Sequence, residues 1–218
     1  MTHEEILFKK TKKLIKDGET EHYKIEHFVL SPEFVKKEKL FSAFGGANSY
    51  REVRDLEPGE YVKLIKKEHD DIVMSDTPME LETNSEFIDN AKGDILIGGL
   101  GLGLIVMSVQ SRKNIKSITI VEKEKEIIEL LKDFPFNTKV KIINDDIYNY
   151  IPEKKFDYIY FDIWNTISSD NYDDMKKLHR TFRKYLNKDG TITSWRYEDC
   201  KYQKYRERKE ERRYSMFA

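Results

Sequence analysis

The sequence predicts an α/β fold with a doubly wound, mostly parallel sheet, and two observations lead to this prediction. From residue 93 onward, short apolar runs that suit β-strands alternate with longer amphipathic runs that suit helices. The first apolar run, DILIGG, has no polar residue after its opening aspartate, as expected of a parallel strand buried on both faces. Strands and helices that alternate across short connections form a sheet with helices on both faces.

The composition is that of a globular chain with balanced charge. Its 218 residues are 39% hydrophobic and 36% charged, with a formal net charge of −1. This length supports one core and a small appendage, and the balanced charge excludes a global attraction to nucleic acid or membranes. No apolar run approaches the roughly 20 residues of a membrane span, and the start MTHEEILFKKTKK lacks the apolar part of a signal peptide. We therefore expect a cytoplasmic protein without membrane association.

Residues 1–75 are expected to form a small N-terminal region. A stripe of apolar residues predicts a short amphipathic helix over residues 1–17. Three strand-like runs follow it, EHYKIEHFVL, EYVKLIKK and DIVMSD, and they predict a β-rich segment. Thr77-Pro78 then begin a helix, with Thr77 as its N-cap, that runs to about Asn90.

The main domain is expected to span residues 76–200 and to contain five parallel strands. They are DILIGG, KSITIVE, KVKIIND, FDYIYFDIW and TITSW. Helices are predicted over LGLIVMSVQSR, EKEIIELLKDF and the amphipathic run DNYDDMKKLHRTFRKYL, where we expect His179 at the surface. Residues 201–218 are expected to form a charged C-terminal helix or tail. In such sheets a ligand binds beyond the carboxyl ends of the strands, where the strand order reverses.

A glycine-rich loop, Gly98-Gly99-Leu100-Gly101-Leu102-Gly103, ends the first of these strands. Glycine permits the positive φ that a sharp turn from strand to helix requires, and it lets a ligand contact the backbone. The free N–H groups at the start of the next helix add a positive partial charge. A glycine loop by itself also fits a tight packing turn, so the residues at the other strand ends have to distinguish the two interpretations.

Acidic residues follow the next three strands at their carboxyl ends. Glu122 lies about 20 residues past the glycine loop, where nucleotide-binding chains hold the ribose hydroxyls. Asp146 suits an adenine amino group, with Ile147 flanking the ring, and it also suits a helix N-cap. Asp162, close to Trp164, faces the expected ligand and suits a substrate amine or a general base. Structural roles are the alternatives to ligand binding. In that interpretation, Glu122 is a surface carboxylate, Asp162 is a capping residue and Trp164 is a residue at the edge of the core.

Together these positions resemble the class I S-adenosylmethionine-dependent methyltransferases, a Rossmann-like superfamily. The branch that looks most similar comprises the spermidine synthases and the small phage and bacterial methyltransferase-like proteins. The resemblance spans roughly residues 60–195 and is carried by MSDTPMELETNSEFIDNAKGDILIGGLGLGL, ITIVEKEKEII, VKIINDDIYNY and FDYIYFDIWNTI. It implies a cofactor, S-adenosylmethionine or its decarboxylated form. It also implies that the last two strands of the usual methyltransferase sheet are missing, because little chain follows TITSW.

The resemblance assigns a role to each candidate site residue. The residues implied to contact the cofactor are Gly99, Gly101 and Gly103 at its methionine part, Glu122 at its ribose, and Asp146 with Ile147 at its adenine. The residues implied to face the transferred group and the acceptor are Asp162 and Trp164, and those of a gating segment over the site are Asp76 and Glu80. No metal site is predicted.

Three functions stay open, and methyl transfer to an unknown acceptor is favoured. Spermidine synthases carry an aspartate in the glycine loop where this chain has Leu102, and hydroxyl residues and a second acid follow their fourth-strand aspartate where this chain has Ile163-Trp164. Polyamine aminopropyl transfer is therefore the alternative, together with a non-catalytic nucleotide-binding or interaction protein that keeps the fold.

Further expectations concern partners and the single thiol. The basic and aromatic run from Lys201 to Arg213 favours a solvated helix over a nucleic-acid-binding segment. The exposed edge of a five-stranded sheet leaves a homodimer open. Cys200, the single cysteine, excludes an intrachain disulfide, and we interpret it as inert because no histidine neighbours it in sequence.

Overall fold

The computed structural model describes residues 13–44 and 53–215. The helix expected over residues 1–17 therefore lies mostly outside the described residues, and the part of it that is described, from residue 13, is not helical. Within the described ranges, no helix combines the length and the apolar character that crossing a bilayer would require.

The N-terminal region contains a four-stranded antiparallel sheet, as its β-rich pattern predicts. Its strands, in spatial as well as chain order, are β1 (Gly18–Glu19), β2 (Tyr23–Leu30), β3 (Gly59–Lys66) and β4 (Asp71–Ser75). Tyr23 pairs with Lys66 at one end of the β2–β3 ladder and Leu30 pairs with Gly59 at the other. This register places the carboxyl end of β4 and the start of β2 beside the main domain.

A helix in this region was not expected from its strand-like character. Helix α1 (Pro32–Phe44) connects β2 towards β3. The Oγ of Ser31 accepts a hydrogen bond from the N–H of Phe34 at 3.1 Å, so Ser31 caps the helix and Pro32 occupies its first position. The sequence Ser31-Pro32-Glu33 carries this start signal, so the β-rich N-terminal part contains a helix that the strand-like runs did not predict.

The main sheet confirms the doubly wound fold. Its strands are β5 (Gly93–Gly98), β6 (Ile115–Glu122), β7 (Val140–Asn144), β8 (Phe156–Phe161) and β9 (Leu186–Ser194). All neighbours are parallel, in the order β7-β6-β5-β8-β9. The chain builds outward from β5 to one side and then returns to build the other side, so the order reverses between β5 and β8. A ligand crevice is therefore expected beyond the carboxyl ends of these two strands.

Six more helices accompany these strands. They are α2 (Pro78–Thr83), α3 (Ser85–Asn90), α4 (Leu104–Val109), α5 (Lys125–Leu130), α6 (Ser169–Phe182) and α7 (Tyr197–Ser215). The single helix expected from Thr77 to Asn90 is broken at Asn84, whose side-chain amide donates to the carbonyl of Glu80 at 3.0 Å. Thr77 is extended, as an N-cap should be, but its side chain makes no capping hydrogen bond.

Apolar side chains cover both faces of the main sheet. One cluster joins Ile25 and Leu64 of the N-terminal sheet to Ile95 and Ile97 of β5, so the two sheets share one core. A second cluster on the opposite face joins Leu96, Ile159 and Phe161 to residues of α6. Burial on both faces explains why the central strands β5 and β8 are mostly apolar.

His179 is buried against β9, and the expectation that it lies at the surface is wrong. Its Nε2 lies 2.7 Å from the Oγ of Ser194, and its ring stacks on those of Phe161 and Tyr197. Burial is the main cause that lowers the pKa of His179, to about 4. Helix α6 turns this residue inward because it lies one turn from Met175 and Phe182, both of which are also buried.

The burial of neutral His179 should lower the free energy of unfolding of the protein as the pH falls. Unfolded His179 binds a proton near its ordinary pKa of 6.5, whereas the folded residue stays neutral until about pH 4. Its contribution is therefore complete above about pH 6.5 and is lost on acidification, by on the order of 3 kcal/mol at pH 4. Urea unfolding across this range measures it. In His179→Gln, which does not titrate, the decline should be smaller, and parallel curves for the two proteins would refute the assignment.

Candidate active site

A cavity of about 830 Å³ opens at the carboxyl edge of the main sheet. Its floor comes from the ends of β5, β6, β8 and β9, and its cover comes from the N-terminal sheet and α2. The volume lies in the range of cofactor and small-molecule sites. The cavity therefore occupies the crevice that the strand order predicts.

The glycine loop turns where only glycine fits without strain. Gly99, Gly101 and Gly103 all have a positive φ, at 96°, 52° and 72°. A Cβ on Gly99 would lie 2.3 Å from the backbone oxygen of Asp162, so this glycine lets the ends of β5 and β8 approach each other. Gly99 and Gly101 line the cavity, but Gly103 does not. Gly103 instead precedes α4 and faces the rings of Phe134 and Phe136.

The open face of Gly101 is filled by Met74, a residue that the sequence analysis did not single out. A Cβ on Gly101 would lie 2.6 Å from the Sδ of Met74, and that sulfur accepts a hydrogen bond from the N–H of Leu102 at 3.3 Å. Met74 lies at the end of β4 and has a flexible, polarizable side chain. A ligand that contacts Gly101 therefore has to share or displace the position of this thioether.

Glu122 is buried at the end of β6 and binds the glycine loop directly. Its Oε2 accepts a hydrogen bond from the N–H of Leu100 and its Oε1 from the N–H of Glu124, each at 2.8 Å. Burial raises the pKa of Glu122, and these N–H donors oppose that shift. Each carboxylate oxygen keeps a second lone pair, and the residue lines the same cavity as Gly101. The arrangement can accept two further hydrogen bonds from a ligand.

Asp146 and Ile147 follow β7 and line the cavity beside Glu122. The Oδ1 of Asp146 accepts a hydrogen bond from the N–H of Tyr148 at 3.0 Å, and the Nζ of Lys123 lies 3.2 Å from its Oδ2. The Tyr148 N–H is the main cause that lowers the pKa of Asp146. Asp146 therefore holds a turn rather than capping a helix, and it places a carboxylate with a lowered pKa next to the buried Ile147.

Asp162 and Glu80 form a pair of acids at the other end of the cavity. Asp162 follows β8, Glu80 lies on α2, and both line the cavity. Burial raises the pKa of both side chains, and the negative charge of Asp162 raises that of Glu80 further, an effect that the positive charge of Arg196 opposes. Neighbouring carboxyl groups with raised pKa values hold a proton more readily than exposed acids do. This pair can therefore accept a proton from a bound molecule.

A buried hydrogen-bond chain positions Glu80. The Oη of Tyr160 donates to the Oδ1 of Asn84 at 2.7 Å, and the Nδ2 of Asn84 donates to the Oε2 of Glu80 at 3.2 Å. Tyr160 lies on β8, two residues before Asp162, so the chain links both acids to one strand. The break between α2 and α3 thus has a functional consequence, because it frees Asn84 to hold Glu80.

Asp76 is not brought into the cavity, although it was expected beside Glu80 in a gating segment. It is buried, and its Oδ1 accepts a hydrogen bond from the N–H of Val62 at 2.7 Å. This bond attaches the end of β4 to β3. The structure therefore assigns Asp76 to the N-terminal sheet and leaves only Glu80 of the expected pair at the site.

Two tryptophans line the end of the cavity where Asp162 and Glu80 lie. Trp164, which the sequence analysis singled out, donates from Nε1 to the Oδ2 of Asp174 at 3.3 Å. Trp195 ends the TITSW run and donates from Nε1 to the Oγ1 of Thr83 at 3.1 Å. Both indoles are therefore held in place and present ring surface to the cavity.

The remaining chemistry-bearing groups lie elsewhere. Among residues 13–44 and 53–215, no group of His, Cys, Asp and Glu side chains has an arrangement that suits a metal ion. Cys200 is buried outside the cavity, and burial raises the pKa of its thiol, which fits an inert role.

Comparison with known proteins finds solved structures that are similar to this chain only at low identity. No family model and no curated protein matches the chain. Among solved structures, the DhpI-SAM-HEP complex is 16% identical with a TM-score of 0.42, covering 52% of this chain and 51% of its own. An S-adenosylmethionine-dependent methyltransferase from Clostridium acetobutylicum ATCC 824 is 19% identical with a TM-score of 0.39, covering 53% and 46%.

A third similar structure is coclaurine N-methyltransferase bound to N-methylheliamine and SAH, at 20% identity and a TM-score of 0.40, covering 53% of this chain and 34% of its own. The chain thus spans about half or less of the length of these structures. At such low similarity the assignment to the Rossmann-like α/β class rests on the strand order of the main sheet.

The Tyr160–Asn84–Glu80 chain predicts a coupled loss of stability. Asn84→Ala leaves the buried hydroxyl of Tyr160 without its partner and should lower the free energy of unfolding by about 1–3 kcal/mol. Tyr160→Phe removes the stranded hydroxyl, so the double variant should lose less than the sum of the two single variants. Urea unfolding of all four proteins measures the coupling. Simple additivity would show that the two side chains do not interact.

Proposed function

We propose that this protein is an S-adenosylmethionine-dependent methyltransferase with a small-molecule acceptor. The observation that carries the proposal is the convergence of Glu122, Asp146 and the backbone of Gly99 and Gly101 on one cavity at the strand-order reversal. Such a cavity offers hydrogen-bond acceptors for a ribose and an adenine beside bare backbone for a further polar group. The cytoplasmic location and the homodimer stay predictions.

The residues present fit the adenosyl group of this cofactor. Glu122 would accept hydrogen bonds from the ribose hydroxyls, Asp146 from the adenine amino group, and Ile147 would pack against the ring. Gly99 and Gly101 would leave room for the methionine part once the Met74 side chain turns aside. The cavity of about 830 Å³ has room for such a cofactor and a small acceptor together.

The acid pair supplies the proton acceptor that transfer to an amine would need. When bound, S-adenosylmethionine supplies an electrophilic methyl group. Asp162, with Glu80 beside it at the acceptor end of the cavity, would take the proton that the acceptor nitrogen loses, and its raised pKa makes it a better proton acceptor than an exposed acid. Trp164 would limit the orientations of the acceptor, since orientation contributes a large part of such rate enhancements.

Aminopropyl transfer from decarboxylated S-adenosylmethionine is the second candidate. The observation that favours it is the same pair of acids, because carboxylates at the acceptor end also suit a polyamine cation. Arg196 opposes it, since this guanidinium lines the same end of the cavity and repels a second cation. Conversion of putrescine and decarboxylated cofactor to spermidine would establish this candidate over methyl transfer.

Binding of S-adenosylhomocysteine and of adenosine tests the cofactor site. Isothermal titration should detect both ligands, and Glu122→Ala should weaken both by about 10- to 100-fold because two charged hydrogen bonds are lost. Glu129→Gln, an acid on the outer part of α5 that pairs with Lys132, is the matched control and should change neither affinity. Absence of heat with the wild-type protein, or equal affinity in Glu122→Ala, would contradict the proposal.

Transfer itself can be followed with a labelled methyl group. The protein, S-adenosylmethionine carrying a labelled methyl group and a metabolite extract should yield a labelled small molecule. Asp162→Asn should lower the rate by roughly 100-fold through loss of the proton acceptor, with S-adenosylhomocysteine affinity retained. Asp170→Asn, an exposed acid in the first turn of α6, is the control. An unchanged rate in Asp162→Asn would remove this residue from the mechanism.

A further inference from the structure

Arg196 lies at the acceptor end of the cavity, in a backbone conformation that side chains rarely adopt. It lies two residues beyond the end of β9 and has a φ of 53°, in the left-handed region. Its side chain is only 14% exposed and lines the cavity together with Asp162 and Glu80. A strained backbone that buries a charged side chain in a cavity is typical of a functional position.

The guanidinium of Arg196 is incompletely paired within the described part of the chain. Its Nε is buried and makes no hydrogen bond there, although the Oδ2 of Asp199 lies 3.2 Å away. The guanidinium carbon lies 6.0 Å from the ring centroid of Trp195, at the limit of a cation–π contact. A buried donor without a hydrogen bond is costly, and a ligand carboxylate in the cavity would supply further acceptors to this side chain.

The charge distribution separates the two ends of the cavity. Among the residues that the structure describes, Lys123 and Arg196 are the two basic ones that line it. Lys123 pairs with Asp146, at the end where the adenosyl group is proposed to bind, so Arg196 is the basic residue described at the acceptor end. There its positive charge acts on Glu80, which lies beside Asp162.

We propose that Arg196 binds a carboxylate of the acceptor, and that the acceptor is an amino-acid-like zwitterion whose amine faces Asp162 and Glu80. This inference rests on the proposed function, since it names the substrate class of the same site. One guanidinium matches one planar carboxylate with two parallel hydrogen bonds. A phosphate dianion would meet repulsion from the nearby acids, whereas a zwitterion adds no net charge to the cavity.

The two tryptophans of the chain make this proposal testable without knowledge of the natural acceptor. Trp164 and Trp195 both line the cavity, so selectively excited tryptophan fluorescence reports its occupancy. Three probes with one ring separate the two charges: phenylalanine carries both, phenethylamine only the amine, and 3-phenylpropanoate only the carboxylate. Each is titrated into the full chain, with and without S-adenosylhomocysteine.

The expected pattern is specific to a carboxylate-binding arginine. Phenylalanine should bind more tightly than either single-charge probe. Arg196→Gln should lower the affinity for phenylalanine and for 3-phenylpropanoate by about tenfold or more, and should leave the affinity for phenethylamine unchanged or higher. Arg196→Lys should restore part of the lost affinity. Asp162→Asn should weaken phenylalanine and phenethylamine but not 3-phenylpropanoate. Arg206→Gln, which removes an exposed charge of α7, should change nothing.

Several outcomes would overturn the proposal. One is a fluorescence response to phenethylamine alone, and another is a response to none of the probes. A third is an equal loss of affinity for all three probes in Arg196→Gln, which would indicate a merely structural role of this residue. The affinity for S-adenosylhomocysteine is measured on the same samples. If the wild-type protein does not bind S-adenosylhomocysteine, the proposed function is refuted. The binding of the three probes in the absence of cofactor would still decide the role of Arg196.

Discussion

The close approach of the ends of β5 and β8 is the constraint on which the site depends. A side chain at position 99 would collide with the backbone of Asp162, so the glycine there sets how near the two strand ends can come. Because the strand order reverses at this pair, the approach brings the glycine loop and the acid at the end of β8 to one cavity. Glu122 then fastens the loop through the N–H of Leu100, which fixes the floor of the cavity.

Burial of acids under the N-terminal sheet and α2 gives the cavity two chemically different ends. At one end, backbone N–H donors hold Glu122, and both an N–H and Lys123 stabilise the ionised form of Asp146. At the other end, burial raises the pKa of Asp162 and Glu80, so they keep a proton more readily. The difference in donors, more than the number of acids, separates a hydrogen-bonding region from a proton-accepting one.

Most of the fold and half of the site follow from patterns local to the chain. Mostly apolar runs identify the central strands β5 and β8, because strands buried on both faces favour apolar residues. The positions of Glu122, Asp146 and Asp162 follow from the rule that parallel strands end at one edge. The helix at Pro32–Phe44 also had a local signal, the capping serine before proline, which was outweighed by neighbouring strand-like runs.

What packing alone determines is which side chains face each other across long stretches of sequence. Met74 against Gly101, Asn84 under Tyr160 and Arg196 beside Glu80 are contacts between distant parts of the chain. The same holds for His179, whose burial depends on where β9 lies rather than on its charged neighbours. The strand ends and the glycine-rich turn can be located from the sequence alone, because they depend on residues that are neighbours along the chain. The cover of the cavity and the partners of its acids require the folded chain, because non-local contacts leave no spacing in the sequence.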